Sequence, residues 1–260
     1  MHGGPPAAPP PAPPGTAQRL WNGRRTGCRG AVDPFGDHEA ECAAAGNLQR
    51  RARPVERTWV RVAREGLGAT GQVVAQQWLA NTTAPNVPVG DRRRLDMVVY
   101  GASARGEVLC CDATVVSPLR RDGRPIPRAH NIDGAALTRA RRRKERTYPE
   151  VGLNGTRLVV LACEVGGRWN DESLDFVRRL ARHRAAQAPP LLRQAVAQAY
   201  TRRWWCLLGV AVQDALAATV LGLPVGPLPG GAALAAPPFD ADVLADLADA
   251  GPPSRLPLRG

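Results

Sequence analysis

Residues 95–116 read LDMVVYGASARGEVLCCDATVV, and the fold turns on how they pair. Two short apolar, β-branched runs, 95–100 and 108–116, are joined by a segment that opens on Gly101 and closes on Gly106, the pattern of two strands and a turn. Each run is broken once by a carboxylate, Asp96 in the first and Asp112 in the second. Side chains alternate across a strand, so Asp112 and Thr114 share a face. Hairpin pairing can therefore bring Asp96 and Asp112 together at one end of a sheet. Neighbouring carboxylates repel unless a cation lies between them, and oxygen ligands of this kind suit Mg²⁺ or Mn²⁺.

Outward from this hairpin the periodicity changes. Upstream, residues 47–67 place Leu48, Ala52, Val55, Trp59 and Val62 at helical spacings with arginines on the other faces, an amphipathic helix. A weaker strand follows over 72–79. Downstream, an Arg- and Pro-rich loop leads to Asp133, the expected N-cap of a helix that runs to Tyr148 before Pro149. Residues 157–165, RLVVLACEV, form a buried strand. Asn170 caps a helix to about residue 187, with acids in its first turn and bases in its last, as the helix dipole prefers. Pro189 and Pro190 separate it from a long final helix over 191–221, in which Trp204 and Trp205 are expected as core or interface anchors, with base stacking as the alternative. Helix, three strands, helix, strand, helix is an α/β order without internal repeats.

Lys144 is the single lysine among 35 basic side chains. It shares a helical stripe with Leu137, Ala140 and Tyr148, so it faces the sheet, where only an acidic pocket satisfies its charge. Glu164, ending its strand, is expected to complete that pocket. Carboxylates, a divalent metal and a lysine together suit phosphodiester hydrolysis, the ammonium stabilising developing negative charge. A buried ion-pair network without catalysis uses the same residue types. Glu56, at the margin of the first helix's stripe, reads as a surface residue, with metal ligation as the alternative.

The run RRRLDMVVYG, CCDATVVSPL, DGAALTRARRRKERTYPEV, RLVVLACEVGGRWN, within residues 92–170, resembles the PD-(D/E)xK nuclease superfamily. It is most similar to the restriction-like endonuclease region that follows the reverse transcriptase in some non-LTR retrotransposons. The resemblance covers roughly residues 28–222. It implies a mixed four-stranded sheet flanked by helices, with Asp96 as the first motif acid, Asp112 as the acid of the (D/E)xK strand and the backbone carbonyl of Ala113 as a further metal ligand. Thr114 stands where the motif has its lysine; in some branches of the superfamily the lysine has moved to the following helix, and the resemblance implies that Lys144 is placed for that role. The implied activity is metal-dependent nicking of target DNA. The alternative is a catalytically inactive, nucleic-acid-binding remnant of the same fold. No YxDD-like motif of a reverse transcriptase is present.

A formal charge of +12 favours a polyanionic partner, DNA or RNA, because cationic contacts to phosphate release counterions. Arg120, Arg121, Arg141, Arg142 and Arg143 form the expected basic margin, the alternative being a solvated charged face. Six cysteines are scattered, three of them in apolar strands, unlike a secreted disulfide framework. No apolar run approaches the roughly 18 residues of a membrane span, so an intracellular location is expected, and a nucleic-acid partner points to the nucleus. Cys28, His38 and Cys42 form C-x9-H-x3-C, whose H-x3-C spacing suits Zn²⁺, and the resemblance implies a degenerate zinc knuckle here; three ligands do not close a structural site, with Asp33, Asp37 or His2 as candidates for the fourth, and free loop cysteines are the other reading. The expected organisation is a disordered Pro/Gly-rich leader (1–27), the knuckle (28–46), an α/β nuclease-like core (47–188), a helical extension (189–222) and a Pro/Ala-rich tail (223–260).

Overall fold

The computed structural model describes residues 18–21, 24–27, 47–120 and 124–220. The knuckle residues Cys28, His38 and Cys42, Arg121 and the tail lie outside them. Gln18–Trp21 (β1) and Arg24–Gly27 (β2) pair antiparallel. Then come α1 (Asn47–Leu67), β3 (Gln72–Trp78), β4 (Arg94–Tyr100), β5 (Val108–Val116), α2 (Ala135–Thr147), β6 (Thr156–Glu164), α3 (Asp171–Ala185) and α4 (Arg193–Val220).

Strands β3 to β6 form one sheet in sequence order. β4 pairs antiparallel with both β3 and β5, while β6 joins β5 in parallel, with α2 as the crossover. The chain is thus α/β with a mixed four-stranded sheet flanked by helices. Alternation divides the sheet's side chains between two cores. Met97, Val99, Leu109, Cys111, Val159 and Leu161 pack under α1, α3 and α4. Val98, Cys110, Leu158 and Val160 pack with Leu137 and Tyr148 on the side of α2. Both faces are covered, which is why β5 and β6 are nearly continuous apolar runs.

The apolar stripe of α1, Val55, Trp59, Val62, Ala63 and Leu67, is buried as its spacing requires. Trp59 meets Trp169 edge-on at 5.6 Å and Phe176 at 6.0 Å, while Trp205 packs against Trp169 at 5.4 Å. Gly66 lets α1 approach α3, since a Cβ there would stand 2.8 Å from the Leu180 Cβ. Trp204 is fully buried, and its indole donates to Glu65 at 2.8 Å. Cys110, Cys111 and Cys163 are buried free thiols. No helix among the described residues is long and apolar enough to cross a membrane.

One cap differs from expectation. α2 starts after Gly134 in the left-handed region, with no side-chain cap, and Asp133 instead meets Arg168 at 2.9 Å. Asn170 does cap α3, accepting from Ser173 N, and it also closes the outer edge of β6. Its amide donates to Val160 O at 2.7 Å and accepts from Ala162 N at 3.1 Å, a side chain imitating the strand that is missing there. Asn170→Ala removes the cap and both edge bonds, and is expected to cost about 2 to 3 kcal/mol. The urea midpoint should fall at unchanged m-value, and an unaltered midpoint would show that the edge needs no closure.

Candidate functional site

Asp96 and Asp112 occupy the place where the β4–β5 ladder stops. The last paired residues are Met97 and Cys111, and one further step of that register sets Asp96 opposite Asp112. The ladder is not continued there. Ala113 N donates at 2.7 Å to Oδ2 of Asp96, so a carboxylate stands where a backbone carbonyl would have been. Alternation also fails at this point. Leu95 packs on the α2 side together with Val98, although three residues apart they would occupy opposite faces of a regular strand.

The neighbouring strand is distorted at the matching position. Ala75 pairs with Met97 and Gln77 with Leu95, leaving Gln76 across from Asp96 with φ of 55°. A non-glycine residue in this region costs on the order of 1 kcal/mol or more. Here the conformation accompanies a hydrogen bond from the Gln76 amide to Glu56 Oε2 on α1, at 3.0 Å. A third carboxylate is thereby held toward the same space.

From the opposite layer α2 delivers Lys144. Leu137 and Ala140 are buried on its inner stripe, and the Lys144 ammonium lies 2.5 Å from Oδ1 of Asp112. That oxygen is buried and makes no aligned hydrogen bond, so the pair is a close ionic contact with acceptor capacity left on the carboxylate. Tyr148, one turn on, donates its hydroxyl to Arg94 O at 3.0 Å; burial and then the Asp112 charge push its proton affinity up.

The end of α2 is anchored beside the start of β4 by Arg93. Its guanidinium meets Asp91 Oδ2 at 2.6 Å and Glu150 Oε1 at 2.7 Å, and donates to Thr147 O. Hydrogen bonds from Arg93 hold both carboxyls below the usual carboxylate range. The lysine-bearing helix is thus tied to the strand that carries Asp96.

These groups line an open cleft of about 1090 Å³ between α1 and α2. Glu56, Asp96 and Asp112 stand among its walls, with Thr114 beside them. Exposed Arg53, Arg57, Arg61 and Arg64 of α1 line one side, and Arg94 and Arg143 also border it. Burial, then the charges of Asp112 and Glu56, push Asp96 up to about 8. Burial likewise raises Glu56.

Several expected members of the site are elsewhere. Glu164 pairs in register with Val116, whereas Asp112 pairs with Val160, so Glu164 lies four residues, about 13 Å, further along the sheet. Its nearest cation is Arg168, at 3.8 Å. Arg141 turns to Glu172 at 2.6 Å and Glu145 at 3.0 Å, which removes it from the cleft, and Arg142 is exposed outside the cleft lining. Arg143 does line the cleft, and it also borders an adjoining hollow of about 510 Å³ shared with Arg120, Arg139 and Arg146. Glu56, expected at the surface, is part of the site. The α1 arginines recur at spacings of four, four and three, but on a helix this rich in arginine the pattern alone is that of a solvated face.

Asp96 and Asp112, with the Ala113 backbone next to them and Glu56 on the α1 wall, are what this cleft offers a hard cation. Among the described residues no three His, Cys, Asp or Glu side chains converge as a metal-holding group. Mg²⁺ needs no such group, since it commonly keeps several waters and takes one or two carboxylates. No known family profile matches the chain, and no curated protein matches it in sequence.

The Asp96 carboxyl carries a consequence for stability. Its folded value of about 8 lies above the ordinary 3.8, so folding takes up a proton between those limits. The stability this contributes is complete below about pH 3.8 and is lost as pH rises through about 8. Asp96→Asn keeps an acceptor for Ala113 N and removes the titration. It should raise the melting temperature at pH 8, by on the order of a few kcal/mol in stability, with the gain vanishing near pH 4. A gain independent of pH would mean that burial of the charge is not the cause.

Proposed function

We propose that the cleft is a metal-dependent phosphodiester-hydrolysing site acting on DNA, in a domain of the restriction-endonuclease-like, PD-(D/E)xK kind derived from a retroelement. The observation that carries this reading is the joining of Asp112 to Lys144 across the sheet and α2, beside Asp96 and beneath an arginine-lined wall. The mixed sheet, β3-β4-β5-β6, agrees with the architecture such a domain would have.

Each residue has a role in this reading. Asp96 and Asp112 are the side chains that would hold Mg²⁺ or Mn²⁺, with the Ala113 carbonyl as a further ligand and Glu56 close enough to influence their charge. When bound, the metal supplies Lewis acidity toward the phosphate and lowers the pKa of a water molecule. Lys144 reaches the reacting centre from α2, where its ammonium can stabilise negative charge developing on phosphate oxygens, the task left open by Thr114. Lys144 also offsets the buried charge of Asp112 when the metal is absent. Arg53, Arg57 and Arg64 line the cleft wall, and their exposure leaves them able to meet a phosphate backbone at little desolvation cost.

A second reading, a nucleic-acid-binding module without activity, draws support from the same ion pair. Lys144 already neutralises Asp112, and Asp96 holds a proton over much of the neutral range, so the cleft is electrically tolerable without a metal. Zn²⁺ at Cys28, His38 and Cys42 would belong to a separate element.

Nicking of supercoiled plasmid in Mg²⁺ or Mn²⁺ separates the two. The nuclease reading expects nicking that chelation abolishes and that Asp112→Ala eliminates, with Lys144→Ala lowering the rate by about 100-fold or more while DNA binding persists. Salt-sensitive DNA binding with no nicking in either metal establishes the second reading instead. Arg53→Ala with Arg57→Ala should weaken binding to all sequences alike and reduce the salt slope by about 1 for each phosphate left without its arginine.

A further inference from the structure

Away from the cleft, α3 and α4 leave a groove of about 740 Å³ between them. Its lining is built on small residues, Ala181, Ala185, Ala186 and Ala197 with Thr201, whose hydroxyl is satisfied within its own helix by Ala197 O at 2.7 Å. The margins are cationic: Arg178, Arg182, Arg193 and Arg202 are all exposed around it. Leu191 and Leu192, which precede Arg193 in the chain, are exposed, at 97% and 50%. Small side chains admit a helix closely, and an apolar floor with arginine margins suits a segment that is apolar on one face and acidic on another.

The chain contains such a segment. Residues 239–250, FDADVLADLADA, lie outside the described residues. On helical spacing Phe239, Val243 and Leu247 recur every fourth residue with Leu244 beside them, while Asp242, Asp246 and Asp249 fall on an adjoining face. In a chain of net charge +12 this is a concentrated block of acid, four aspartates without a base. Pro237 and Pro238 precede it, suited to the entry of a helix.

We propose that the groove between α3 and α4 binds this acidic segment of the same molecule, as an amphipathic helix with its apolar stripe on the alanines and its aspartates toward the arginine margins. The reach is sufficient. The groove is centred near residue 198 of α4, about 33 Å back along the helix from Val220. The intervening residues 221–238, rich in Pro and Gly, span up to about 56 Å when extended as polyproline. Docking covers the exposed Ala186 and the half-buried Ala197 above a floor of buried Ala181 and Ala185, and neutralises part of the arginine surface. The inference is independent of the nuclease reading, since it involves none of the cleft residues.

Hydrogen exchange followed by mass spectrometry on the full chain tests it. Amides in 239–250 should exchange about tenfold or more slowly than in an unstructured peptide, as a docked fraction of about nine-tenths gives. Ala197→Glu, which fills the groove and adds a like charge, should return that segment to the unstructured rate. Leu247→Asp should do the same without touching the folded core, so the test survives if Ala197→Glu fails to fold. Exchange at the free-peptide rate in the wild-type chain overturns the proposal. Protection that persists in folded Ala197→Glu also overturns it, placing the segment on another surface such as the basic wall of the cleft. Protection that grows with protein concentration overturns the intramolecular form and assigns the groove to the tail of a second copy.

Discussion

The end of the sheet depends on a single substitution of one hydrogen-bond acceptor for another: the Asp96 carboxylate takes the Ala113 N–H that a β4 carbonyl would have taken in a continued ladder. Two strands that stayed fully paired would leave no opening there. Asp96 and Asp112 line the cleft at this point, two buried carboxyl groups in a space of low polarity, where like charges interact strongly. The irregularities nearby follow from accommodating this. Gln76 adopts positive φ and binds Glu56, and Leu95 changes side. The Gln76 conformation costs stability, whereas the change of side buries Leu95 in the core beside α2.

Lys144 is the counterweight, and its placement is a matter of helix anchoring. An ammonium on a long flexible stem is useful only where its helix is fixed. Arg93 fixes the end of α2 through Asp91, Glu150 and Thr147 O, while Leu137 and Tyr148 pack into the core on that side of the sheet. The ion pair of Asp112 with Lys144 therefore joins two layers that are separately secured. An arrangement in which stability is given up at one point, and rigid supports surround that point, is the usual signature of a site that has to meet a ligand.

Charge is organised by distance from the sheet. Acids occupy the interior of the cleft, arginines its outer margin, and other arginines pair along helix surfaces, as Arg141 does with Glu172 and Glu145. A polyanion approaching the α1 wall would meet cations first and the buried acids last. The groove between α3 and α4 presents the same positive sign on an apolar floor, which favours an acidic peptide over a phosphate backbone as its occupant.

The sequence by itself determined the element order from α1 to α4, the strands that carry the acids and the face from which Lys144 projects. These depend on short-range periodicity and on caps such as Asn170, and periods of two and of about 3.6 residues are readable without a partner. The Asp96, Asp112 and Lys144 grouping was legible because each charged residue interrupts an apolar stripe. What only the tertiary structure decided is which charges share a space. Glu164 ends a strand of the right kind, but the parallel register of β5 and β6 carries it about 13 Å past Asp112. Glu56 and the α1 arginines, set apart from Asp96 by dozens of residues, join the site because α1 crosses the open end of the sheet. Register and helix placement are set by packing between distant segments, and a one-dimensional pattern does not record it.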